Sequence, residues 1–114
     1  RIAVLNAWPN LEYSAEREFI ARLKISCAKL GWTCIETITS DEIIAAHVHC
    51  LLTTHEYSPK LTHIPTIGLL WSPPSYFSDD PVRVRNILSY DGYIAGSDSV
   101  REYLGDLLYS TKKN

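Results

Sequence analysis

The sequence predicts an α/β protein, a three-layer α/β/α domain built on a five-stranded parallel sheet. Three observations lead there. Short, largely apolar runs recur at Ile2–Leu5, Trp32–Ile38, His47–Thr53, Thr66–Trp71 and Gly92–Ala95, and continuous runs of that length suit strands covered on both faces. Segments of helical periodicity separate most of these runs, and strands that alternate with helices assemble into parallel sheets. With 114 residues, 46% hydrophobic and 21% charged, the chain has the size and composition of one globular domain.

Taken in order, the first strand stops at Pro9-Asn10. Ser14 offers an N-cap for the first helix, Glu16 and Glu18 suit its first turn, and Phe19, Ile20, Leu23, Cys27 and Leu30 form its apolar stripe. Gly31 stands where a left-handed C-cap belongs. Trp32–Ile38, rich in β-branched and aromatic residues, is the second strand. Thr39 and Glu42 match a capping box that opens a brief helix before the third strand, His47–Thr53. A loop over Thr54–His63 leads to the fourth strand, and Asp80-Pro81 opens a helix over Val82–Ser89 before the fifth. Ser99 and Glu102 read as a second capping box, for a last helix with Val100, Tyr103, Leu104, Leu107 and Leu108 on one face. Right-handed crossovers favour the strand order 3-2-1-4-5, a Rossmann-like order.

Composition removes several classes of function. A net charge of -2 leaves no electrostatic footprint for nucleic acid, and Lys112-Lys113 reads as a solvated tail. No apolar run reaches the roughly 20 residues a transmembrane helix needs, and charges from Glu12 onward interrupt any signal-peptide pattern. Three cysteines without a C-x-x-C pair fit a reducing compartment. The expectation is a cytoplasmic chain, free or at the inner face of a membrane. Arg1 opens directly onto a strand, so residues 1–114 read as one Rossmann-like domain cut from a longer protein.

The expected working surface is the stretch from Pro65 to Ser99, because open parallel sheets bind ligands beyond the carboxyl ends of their strands. Phosphate and dinucleotide sites need glycines after the first strand, and none occurs before Gly31. Asn6, Thr53-Thr54 and Ser97 replace the acidic and lysine residues of a phospho-acceptor site, and Trp8-Pro9 replaces a flavin phosphate loop. His47 and His49 lie at the start of the third strand and His55 beyond its end, roughly 20 Å apart at strand rise, too far to share a metal ion. No metal is expected. His55 beside Glu56 could serve as a general base or a hydrogen-bonding pair, against a plain loop reading. The stiff loop from Ser72 to Asp79 presents Tyr76 and Phe77 near Trp71, and rings beside hydroxyls suit a sugar, or else seal the sheet edge. Ser97 opens the last helix beside the same crevice and could hold a hydroxyl or simply cap.

Tyr90, Asp91, Gly92, Tyr93, Ile94, Ser97, Val100 and Leu104 resemble the strand-and-helix segment "yD.yi..S..v.e.L" in the N-terminal domain of GT-B glycosyltransferases. The opening RIAVLNAWPN and the helix leading to LGWTCIET look like that family's first strand, helix and second strand. The resemblance implies two Rossmann-like domains facing across a cleft. This one would bind a carbohydrate or glycolipid acceptor, and the missing C-terminal domain would hold a nucleotide-sugar. No cofactor is expected in this domain. The acceptor-binding residues so implied are Asn6, Trp8, Trp71, Ser72, Tyr76, Phe77 and Ser97, with His55 and Asp79 as base candidates. The chain departs from the family at Asn6-Ala7-Trp8-Pro9, where many relatives carry a glycine-rich loop. The alternatives are a non-catalytic flavodoxin-like domain that binds a ligand or partner, and a standalone enzyme using His55 and Glu56.

Overall fold

Five apolar runs become five strands, most of them shorter than the sequence pattern. The computed structural model describes residues 1–6 and 15–113, so Trp8 and the expected cap Ser14 lie outside the described residues. The strands are β1 (Ile2–Leu5), β2 (Cys34–Thr37), β3 (Cys50–Thr53), β4 (Thr66–Leu70) and β5 (Gly92–Ala95). The helices are α1 (Ala15–Lys29), α2 (Ser40–Ala45), α3 (Pro81–Leu88) and α4 (Asp98–Lys113).

Turn chemistry trims the strands. Gly31 has φ 76°, and the Gly31 and Trp32 amides bond back to the Ala28 and Cys27 carbonyls, a Schellman end to α1. That turn takes Trp32 and Thr33 out of β2 and leaves Leu30, expected on the buried stripe, 66% exposed. At the end of α2, His47 turns with φ 51° and delays β3 to Cys50. The caps form nearly as read. Thr39 accepts from the Glu42 amide at 3.2 Å, and Asp80 accepts from the Val82 and Arg83 amides at 3.0 and 3.3 Å. The cap of α4 differs: Ser97, not Ser99, accepts from the Val100 amide. The last helix runs on through Lys113 where a tail was expected.

All strands are parallel, as expected, but the order is β2-β1-β3-β4-β5. The expected order put β3 at the edge beyond β2 and placed β1 beside β4. Instead β3 pairs with both β1 and β4. The handedness rule permits either order, so burial decides. Leu51 and Thr53 of β3 are buried to within 1%, whereas β2 carries the exposed Glu36 that an edge strand tolerates.

The registers divide the side chains between two faces. Ala3 and Leu5 of β1, Leu51 of β3 and Leu70 of β4 face α2, α3 and α4, and those helices attach through Ile43, Ile87 and Val100, each 0% exposed. Burying such a side chain stabilises by about 1.5–3 kcal/mol. The opposite face carries α1 alone among the described residues, anchored by Ile20 and Cys27. Burial pushes the neighbouring Cys34 thiol up to about 11. No described helix is long and apolar enough to cross a membrane.

Tyr90 and Asp91 fasten the far half of the sheet. Asp91 accepts from the Thr66 amide at 2.8 Å and pairs with Lys60 at 2.8 Å. The Tyr90 hydroxyl donates to the Ser58 and His55 carbonyls at 2.7 and 3.2 Å, and its ring lies against Gly68, where a Cβ would come within 2.6 Å of it.

Candidate functional site

The observed order moves the expected crevice. From β1 the chain crosses to β2 on one side, and from β3 to β4 on the other, so the topological switch point lies between the carboxyl ends of β1 and β3. The expected order would have placed it between β1 and β4, beside Trp71. Asn6 and the loop after Thr53 now form its walls.

Asn6 is 3% exposed, and its amide donates to Glu36 Oε2 at 2.8 Å while Lys24 Nζ sits 3.3 Å from Oε1. The Asn6 amide, more than Lys24, holds the Glu36 carboxyl below the usual carboxylate range. Across the crevice, Thr53, Thr54, His55 and Glu56 are all buried. Thr53 Oγ1 donates to the His55 carbonyl at 3.0 Å, and the Asn86 amide donates to the Glu56 carbonyl at 2.9 Å. These bonds, with those from Tyr90, hold a loop without secondary structure in one shape.

Within that loop Thr54 Oγ1, His55 Nε2 and Ser58 Oγ are buried without a hydrogen-bond partner. Leaving such a group unpaired costs about 1–3 kcal/mol, so each of the three calls for an explanation, and Thr54 stands directly at the end of β3. Burial lowers His55 to about 4, so its ring is neutral at pH 7. The Tyr57 amide donates to His55 Nδ1 at 3.0 Å, which puts the ring proton on Nε2. His55 Nε2 is therefore a hydrogen-bond donor. The hydrogen-bonding pair read for His55 and Glu56 does not form, since Nδ1 accepts from the Tyr57 amide and Nε2 has no partner. The same geometry opposes a general-base role, because the ring's lone pair is already engaged. Glu56 is 6% exposed and lies 3.6 Å from Arg83, whose guanidinium also covers the Tyr57 ring at 4.6 Å.

The remaining sequence candidates do not gather around this loop. Phe77 is 1% exposed and packs edge-on against Tyr103 at 5.4 Å, a core ring and not a binding surface. Asp79 is exposed, and its charge raises Tyr103 only after burial does, so it flanks α4. Tyr76 is 68% exposed, and its carbonyl accepts from Arg83. Ser72 is half-buried, and Ser97 caps α4. Trp71 meets the Phe19 ring edge-on at 5.0 Å and lines an apolar cavity of about 130 Å³. At the opposite rim, the Arg1 amino group lies 3.4 Å from His49 Nδ1. Among the described residues no group of three or more His, Cys, Asp or Glu could hold a metal ion.

Thr54 and Ser58 were passed over in the sequence. The available signal was the Thr53-Thr54 pair at a strand end: two hydroxyls side by side cannot both face the same side of a sheet. No family model matches the chain, and neither a curated protein nor a solved structure does.

Proposed function

We propose that the chain is the acceptor-side domain of a glycosyltransferase of GT-B type, acting in the cytoplasm on a carbohydrate or glycolipid acceptor. A second domain of the same protein would carry the nucleotide-sugar. One observation carries this reading: adjacent buried polar groups, Thr54 Oγ1 and His55 Nε2, stand unpaired at the switch point. Ligand hydroxyls supply partners of both kinds, an acceptor for the imidazole N–H and either a donor or an acceptor for the threonine. A carboxylate or phosphate is less well served, because Arg83 is already flanked by Glu56 and Asp80. The domain's contribution is orientation of the acceptor hydroxyl, with His55 donating a hydrogen bond.

The test is a ¹⁵N–¹H titration with methyl glycosides. Shifts centred on residues 54–58, with affinity weakened about fivefold to tenfold in Thr54→Val, support the reading. Saturable binding that leaves those amides unmoved overturns it. The strand order favours a second reading, a non-catalytic flavodoxin-like domain that binds a ligand or partner, since β2-β1-β3-β4-β5 is the flavodoxin-like order.

A further inference from the structure

Extending the strand registers by one residue places Asn6, Thr54, Leu69 and Ile94 in one row across the α1 side of the sheet. Adjacent strands lie about 4.8 Å apart, so the row is about 14 Å long. Its chemistry changes along its length: an amide and a hydroxyl over β1 and β3, then apolar side chains over β4 and β5. Thr54 is 2% exposed and its Oγ1 has no partner. Beside it begins the apolar cavity of about 130 Å³, lined by Phe19, Leu69, Leu70, Trp71, Ile94 and Gly96. At its rim Gly96 packs tightly on Trp71, where a Cβ would meet the Trp71 Cα and Cβ at 2.8 Å. A dry cavity of about 150 Å³ accommodates a benzene ring, so this one has room for about five carbons.

We propose that this row is a composite site for an amphiphilic ligand, with Thr54 bonding a hydroxyl and the Phe19–Trp71–Ile94 cavity taking an attached alkyl or aryl group. The inference rests on the reading of the switch point as a ligand site and narrows the acceptor to one with an apolar group next to its hydroxyls. Water fills only one of the two roles. It would satisfy Thr54 but not the cavity, whereas a molecule with both parts satisfies the whole row.

The probe is a series of 1-alkanols from ethanol to octanol, titrated into the full chain and followed by ¹⁵N–¹H shifts. The site predicts saturable shifts at Phe19, Leu69, Trp71 and Gly96, with affinity rising about fourfold per methylene until about five carbons and then levelling. Thr54→Val weakens every member about fivefold, and Phe19→Ala moves the plateau to longer chains. Affinity independent of chain length overturns the proposal, as do non-saturating shifts that spread to other exposed apolar residues such as Ile25 and Trp32. If methyl glycosides shift residues 54–58 while alkanols do not saturate, the apolar subsite fails and the acceptor reading stands. If alkanols saturate as described and glycosides do not bind, the composite site stands and the sugar reading falls.

Discussion

His55 shows how one buried ring can bear on both stability and recognition. The unfolded chain takes a proton there below about pH 6.5, the folded chain only below about 4. The unfolded state therefore binds more protons between those values, and stability falls as pH drops through that window. The contribution is fully present above pH 6.5 and amounts to at most about 3 kcal/mol. Urea midpoints at pH 7 and pH 4.5 should diverge more for the native chain than for His55→Asn, and parallel curves would discount the effect. Tyr90 is the second residue with a defined task. Tyr90→Phe removes the donor to the Ser58 and His55 carbonyls and should cost about 1–2 kcal/mol. Amide exchange should accelerate across residues 54–58 more than in the helices.

At the scale of elements, caps and turns set boundaries that apolar periodicity leaves open. Gly31 has open space around its missing Cβ but a φ of 76°. Gly31→Ala should therefore cost about 1 kcal/mol by backbone strain alone, seen as a lowered thermal midpoint with native packing intact. Phe77 belongs to the same scale. The loop after β4 turns its ring inward between α3 and α4 while leaving Tyr76 outside. Phe77→Ala should cost about 3–5 kcal/mol and Tyr76→Ala less than about 0.5. A reversed ranking in denaturant titrations would return Phe77 to the surface.

Across the whole molecule, crossover direction explains why the two sheet faces are unequally covered. Only the β1-to-β2 connection runs toward β2, and it puts α1 on its own face. The β2-to-β3 and β4-to-β5 connections put α2 and α3 on the other, and α4, which follows β5, packs on that same face. The half of the sheet over β4 and β5 thus shows apolar side chains, Ile94 being 53% exposed while Leu70, one residue past Ile94's partner Leu69, is 2% exposed. Ile94→Ser should cost less than about 1 kcal/mol and Leu70→Ala about 2–5, a contrast that chemical denaturation reads directly.

The parallel α/β class, the helix caps at Thr39 and Asp80 and the left-handed turn at Gly31 were all legible in the residues. Each depends on local chemistry: apolar run length, a hydroxyl or carboxylate before a helix, a glycine after one. The neighbours of β3 were not legible, because the right-handed crossover rule is satisfied by both orders and only competitive burial of Leu51 and Thr53 against the polar flank of β2 selects one. That choice moved the switch point from Trp71 to Thr54. The inward turn of Phe77 and the proton position on His55 were equally out of reach. The first depends on the space between two helices, and the second on a backbone amide two residues away. Sequence settled which elements form. Tertiary packing settled which strand ends meet, because that depends on burial summed over residues far apart in the chain.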